Sequence, residues 1–234
     1  VRSTEPRPGR PIVMVHGIGV SGAYFIPFAG VLAARHPVHL LDLPGYGSTP
    51  KPPRALTVPE LAEVAGRAVL ALGLDRPVLI GQSMGCQVVA DALAARPGLA
   101  AGYVLIGPTL DSTARSLPRQ ALRLARDVTR ETAANNLLVI RDYARMGLPR
   151  FLRATRSMFA GRVGDSLATI ASPGLIVRGE RAPLAPRRWV RHLAGLAPDA
   201  GWAEIPGAAH NAQHTHPDAL ADACAPFLAS LPAT

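Results

Sequence analysis

Short apolar runs, each closed by a glycine or a turn and most followed by a segment of helical periodicity, constrain this chain more than any other feature. Residues 11–17 (PIVMVHG), 37–45 (PVHLLDLPG), 77–81 (PVLIG), 103–107 (YVLIG), 174–179 (GLIVRG) and 202–205 (WAEI) read as strands. The first five are apolar on both alternating faces, which is the pattern of strands covered on both sides. Residues 57–72 carry apolar side chains at helical spacing, with Thr57 as N-cap and Glu60 and Glu63 in the first turns, where the helix dipole favours acids. Residues 84–96, 186–196 and 218–231 supply further helices. The expected fold is α/β, with a mostly parallel central sheet flanked by helices.

The alternation breaks once. Residues 111–172 hold helical patterns (117–131, 133–146 and 148–159) and no good strand. A segment that leaves the sheet after one strand and returns at the next predicts an inserted helical cap or lid. The core is then 1–110 plus 173–234.

Composition narrows the class. With 48% hydrophobic residues and 18% charged, the 234-residue chain can bury a core. Two cysteines, Cys86 and Cys224, exclude a disulfide scaffold and a Cys-based zinc cluster, and both read as buried, reduced helix residues. No apolar run is long enough for a membrane span, and residues 1–11 show no signal-peptide core, so the expected location is cytoplasmic. The net charge of +9 invites a nucleic-acid reading. Yet the 5% aromatic content is too low for base-stacking platforms, and the arginines are widely scattered. They read mainly as solvated surface, and no nucleic-acid partner is expected.

Gly81-Gln82-Ser83-Met84-Gly85 follows the PVLI strand and opens a helix, the context in which G-x-S-x-G carries a nucleophile. A sharp strand-to-helix turn would lift the Ser83 hydroxyl above the strand end. Glycines on either side let strand and helix approach without colliding. The Met84 N–H, at the helix start, would point into the space beside that hydroxyl and stabilise a negative oxygen there. After the first strand, His16-Gly17-Ile18-Gly19 offers a second such donor at Ile18, with His16 expected to hold the loop and border the pocket. His210, in the loop after the last strand, can swing over a nucleophile on a central strand. His214 and His216 lie close by, but no H-E-x-x-H pattern accompanies them, so no metal is expected and no cofactor is called for.

The stretches VMVHGIG (13–19), LLDLPGYGSTPKP (40–52), LIGQSMGCQVVADALAARP (79–97), YVLIGPTLD (103–111), LIVRGERAPLAPRRW (175–189) and EIPGAAHNAQHTHPDALADACAPFL (204–228) together resemble the α/β-hydrolase fold superfamily, in its branch with a helical cap. The resemblance covers nearly the whole chain. It implies Ser83 as nucleophile, His210 as general base, and the Ile18 and Met84 N–H groups as an oxyanion hole. It also exposes a departure. The family's usual acid lies three residues after the glycine of the penultimate strand, where this chain has Ala182 (RGERAP). Loss of such an acid costs on the order of 10⁴ in rate in serine hydrolases. Asp111, after the YVLIG strand, is the favoured replacement because some members place the acid at that strand end. Glu180 and the absence of any acid are the other readings, and Asp111-Ser112-Thr113 also reads as a helix N-terminus.

The cap segment 111–165 carries 11 arginines, among them a stripe of Arg119, Arg123, Arg126 and Arg130. Leu117, Leu124 and Val128 form the opposing apolar stripe. Gln82, Tyr143, Met146 and Phe159, with Leu138, Phe151 and Met158, are expected around the pocket. The expected function is hydrolysis of a carboxylic ester, thioester or lactone of a hydrophobic small molecule through a Ser83 acyl-enzyme. A carrier protein or CoA is the alternative partner that the arginines suggest. Other readings are a C–C bond hydrolase, a cyclase or rearrangement enzyme on the same scaffold, and a ligand-binding relic without catalysis. Serine at the elbow argues against haloalkane dehalogenase and epoxide hydrolase, which resemble this fold and use Asp there.

Overall fold

Seven strands form one twisted sheet in the order β1-β3-β2-β4-β5-β6-β7. They are β1 (Arg2–Ser3), β2 (Ile12–Val15), β3 (Val38–Leu41), β4 (Val78–Gln82), β5 (Gly102–Ile106), β6 (Gly174–Gly179) and β7 (Ala200–Ile205). The computed structural model describes residues 1–111 and 116–232. All neighbouring pairs are parallel except β1 with β3. The helices are α1 (Ile26–Leu32), α2 (Val58–Ala71), α3 (Met84–Ala95), α4 (Leu117–Val128), α5 (Ala133–Met146), α6 (Leu148–Ala160), α7 (Val163–Leu167), α8 (Arg187–Leu196), α9 (Ala212–Thr215) and α10 (Pro217–Ser230). A turn of 3-10 helix, Gly22–Phe25, leads into α1.

The two-residue period of the strands divides the core into two layers. Val13, Val15, Leu79, Tyr103, Leu105 and Ile176 face one side, where α2, α3 and α8 bring Leu61, Val69, Val88 and Trp189. Ile12, Met14, Val78, Ile80, Val104 and Val177 face the other, against Phe25, Phe28, Leu220 and Cys224. Helix α2 begins with a capping box. The Thr57 hydroxyl accepts from the Glu60 N–H, and the Glu60 carboxylate accepts from the Thr57 N–H. Both cysteines are buried and unpaired.

Helices α4 to α7 lie between β5 and β6. Polar contacts tie them to the strand-bearing part. The Ser157 hydroxyl accepts from the Val58 N–H at 2.7 Å, Ser21 donates to Asp142 at 3.1 Å, and Ser166 donates to Asp91 at 2.6 Å. The helix start expected at Asp111–Thr113 falls largely on residues 112–115, outside the described residues, as does Arg115. Among the described residues no helix is long and apolar enough to cross a membrane.

Two glycines decide how α3 meets the sheet. A Cβ on Gly85 would collide with the Val15 carbonyl oxygen, and one on Gly81 with the Gly85 carbonyl oxygen. These neighbours are backbone and cannot rotate away. Gly85→Ala is therefore expected to destabilise the fold by at least about 2 kcal/mol. Chemical denaturation of the variant measures this, and an unchanged midpoint would contradict the packing described.

Candidate functional site

Ser83 occupies the turn between β4 and α3 with φ 53° and ψ −114°, a left-handed conformation that costs a non-glycine residue energy. Its N–H donates to the Ile106 carbonyl at 3.0 Å, so the strained turn is anchored to β5. Met84 is the first residue of α3, so its N–H has no carbonyl one turn back within the helix. Gly17 packs beside the same serine. A Cβ there would stand 3.1 Å from the Ser83 Cβ and 2.5 Å from the Gln82 side-chain oxygen. The loop bearing Ile18 thus runs directly over Ser83.

His210 reaches this place from the loop after β7. Gln82 pairs with Ile106 in the register of β4 and β5, so Gly107 stands next to Ser83 at the strand ends. A Cβ on Gly107 would lie 2.9 Å from His210 Nδ1 and 3.0 Å from Cε1, so the imidazole rests on this glycine. Gly107 has φ +60°. The next strand end is shaped for the same loop, because a Cβ on Gly179 would strike the Ala208 and Ala209 carbonyls. Gln82 ties the two halves together, its amide donating to Asn211 Oδ1 at 3.3 Å.

Ser83, His210 and Ile18 line one cavity of about 260 Å³. Gln82, Tyr143 and Phe159 also line it, with Leu117, Leu124, Val128, Phe151 and Met158. Leu117 and Val128 are also largely exposed, which places them at the mouth. His16 and Met146, expected at the pocket, are not among its lining residues. His16 is wholly buried. Its Nε2 accepts from the Leu43 N–H at 3.1 Å, which leaves Nδ1 to donate to the Gly17 carbonyl at 2.8 Å. Burial lowers its pKa, so the ring is a neutral brace for the loop. Met146 borders a smaller pocket with Gly19, Tyr46 and Arg145.

The expected acid is not where the reading from sequence put it. His210 is buried, burial lowers its pKa to about 4, and its Nδ1 has no hydrogen-bond partner. Asp111 is also buried, but its carboxylate takes Arg123 at 3.2 Å and Arg188. Two guanidinium groups hold Asp111 as the anchor of α4 and α8, a stronger claim on a carboxylate than one neutral imidazole N–H. Glu180 accepts from the Gly207 N–H at 2.8 Å and so braces the histidine's loop from outside. Ala182 is buried. His214 stacks on Tyr24, and His216 meets the Thr215 hydroxyl at 2.9 Å, so neither turns toward His210.

Sequence reasoning missed two acids. Asp127 Oδ1 accepts from the His210 N–H at 3.2 Å, and Glu131 Oε1 accepts from the Asn211 N–H at 2.8 Å. Both line the cavity. The signal was present: residues 117, 120, 124, 127, 128 and 131 follow helical spacing, so Asp127 shares the apolar stripe of α4 and Glu131 continues its line in the turn that follows. Burial, with Glu131 nearby, raises the Asp127 pKa to about 7.

The chain matches the model of the alpha/beta hydrolase family over residues 12–223, and it belongs to that family. A pimeloyl-[acyl-carrier protein] methyl ester esterase of Xanthomonas campestris pv. campestris is 25% identical over 250 residues, covering 96% of this chain and 97% of that protein. The enzyme of the same name from Edwardsiella ictaluri is 27% identical, covering 95% and 92%. Among solved structures, an esterase from Rhodococcus sp. ECU1013 superposes with TM-score 0.78 at 21% identity, covering 99% of this chain and 94% of that one. The enol-lactonase from Burkholderia xenovorans LB400 does so with TM-score 0.77 at 19% identity, covering 98% and 95%. These two likenesses are of fold.

The buried Asp127 has a measurable consequence. Its folded pKa of about 7 lies above the unfolded value of 3.8. Above pH ~4 the unfolded chain therefore sheds a proton that the folded chain keeps, and stability falls until pH ~7. Asp127→Asn keeps an acceptor for the His210 N–H and removes the ionisation. Denaturant unfolding is expected to show the variant about 1–4 kcal/mol more stable near pH ~8, with the gain vanishing near pH ~4.

Proposed function

We propose that the chain hydrolyses carboxylic esters, thioesters or lactones of hydrophobic compounds. Ser83 attacks the carbonyl while His210 takes its proton. The Ile18 and Met84 N–H groups receive the negative oxygen. His210 then protonates the leaving group, and water releases the acyl group from Ser83. The observation that carries this reading is the serine held at φ 53° on the wall of a mostly apolar cavity that His210 also lines. The cavity suits a medium-sized acyl group, with inserted helices α4 to α6 acting as its cap. The esterases it resembles are named for a methyl ester on an acyl-carrier protein. The exposed Arg119 and Arg126 of α4, with Arg130 just past its end, suit an acidic carrier as the group that brings such an ester.

The reading takes Ser83 and His210 as a pair without a carboxylate on Nδ1. A fluorophosphonate probe should label the wild type and not Ser83→Ala, and turnover of p-nitrophenyl esters should be lost in the same variant. Asp111→Asn should keep activity within about tenfold, where loss of a triad acid would cost about 10⁴. A chain that the probe never labels would instead point to non-hydrolytic chemistry.

The pH profile is a further check. A general base works only when neutral. With the His210 pKa lowered by burial to about 4, the imidazole stays neutral through weakly acidic solution. The initial labelling rate should hold steady from about pH 8 to about pH 5.5 and fall only below that. A midpoint near the ordinary histidine value of ~6.5 would contradict the buried, bare imidazole.

A further inference from the structure

One wall of the cavity is built for a polar group that ester hydrolysis at Ser83 does not require. Tyr24, Asp127, Glu131 and Asn211 line it. Tyr24 is 2% exposed, and among the described residues its hydroxyl has no hydrogen-bond partner in good geometry. Burial raises its pKa, the charges of Glu131, Tyr143 and Asp127 add to the effect, and the Asn135 side chain works against it, so the hydroxyl stands within electrostatic reach of both carboxylates. Asn135, in the first turn of α5, is 0% exposed and backs the Tyr24 hydroxyl from outside the cavity lining. Glu131 spends Oε1 on the Asn211 N–H and leaves Oε2 buried and unpartnered. A folded protein rarely leaves so many buried polar atoms unmet in one place unless something else meets them.

The sign of the charge selects what that is. Among the described residues the cavity lining contains two carboxylates and no lysine or arginine. Arg130, nearest in sequence, is turned outward and donates to the Arg181 carbonyl. Acceptors therefore outnumber donors on this wall. Once these acids are ionised, for Asp127 above about pH 7, a carboxylate placed there would meet like charge, whereas an ammonium would gain charge-assisted hydrogen bonds and reduce the cost of burying the acids.

We propose that Tyr24, Glu131 and Asp127 form a subsite for a primary amine carried by the substrate, and that this wall rejects substrates with a free carboxylate at that position. The role in turnover rests on the ester-hydrolase reading above, but binding does not.

The test therefore begins with binding. Hexylamine, 1-hexanol and hexanoate are titrated by calorimetry at about pH 8, where Asp127 is ionised, into the wild type and into Ser83→Ala. Hexylamine should bind at least about tenfold more tightly than hexanoate in both proteins. Glu131→Gln, which keeps an acceptor for the Asn211 N–H, should weaken hexylamine about tenfold and leave 1-hexanol within about threefold. Tyr24→Phe should weaken hexylamine about threefold or more, and it serves alone if Glu131→Gln does not fold. Hexanoate binding as tightly as hexylamine would overturn the subsite, as would unchanged hexylamine affinity in these variants. Methyl 6-aminohexanoate, methyl hexanoate and monomethyl adipate then extend the comparison to kcat/KM, with the amino ester expected to be preferred. Hexylamine binding without any ester turnover would uphold the subsite and refute only the ester reading.

Discussion

The approach of helix α3 to strand β2 is the contact on which the site depends. Gly85 lies against the carbonyls of Val15 and His16, and Gly81 lies against Gly85 itself. With the backbones this close, the chain between β4 and α3 has one residue in which to reverse, and that residue, Ser83, adopts φ 53°. The strain is local and is met by packing on both sides: every residue of β4 is buried, and α3 is buried along most of its length. The same tightness presents the first N–H of α3 beside the serine. One steric fact thus sets the hydroxyl, the amide and the gap between them.

The histidine is seated by a similar logic at the neighbouring strand ends. Gly107 and Gly179 end β5 and β6, and both lack the atom that would fill the space taken by the 208–210 loop. Backbone contacts and the Gln82–Asn211 bond hold that loop. Among the described residues no carboxylate hydrogen-bonds to the imidazole. Asp111, which has the right chain position for that task, is drawn to Arg123 and Arg188, because ion pairing to two guanidiniums outweighs a hydrogen bond to a neutral ring.

Features set by local chemistry could be read from the sequence, and those set by long-range competition could not. The alternating apolar runs give six of the seven strands, and the glycines around Ser83 announce the turn before any coordinates do. Strand β1 escapes notice because Arg2–Ser3 is two exposed residues added to an edge, with no hydrophobic period to betray it. His16 is misjudged as a pocket residue because its partner, the Leu43 N–H, lies 27 residues away. Asp111 looks like a catalytic acid because nothing in its neighbourhood reveals Arg188, 77 residues on. The two inward acids, Asp127 on α4 and Glu131 just after it, obey a visible periodicity, yet eleven arginines in the same segment draw attention to the outer face.

Helix α4 is therefore two-sided in charge as well as in hydropathy. Arg119 and Arg126, with Arg130 just past the helix end, are exposed, while Asp127 is buried and Glu131, in the turn that follows, partly so. Burying carboxylates costs folding energy unless donors meet them, and the donors here are the backbone N–H groups of His210 and Asn211. That choice has a structural consequence. A backbone N–H fixes the loop itself rather than one rotamer, so docking of α4 and placement of the imidazole become a single event. A displaced α4 would strip both donors of acceptors and uncover the histidine in the same step. The inserted helices are thus coupled to the reacting end of the sheet through the two residues that also give the cavity its negative wall.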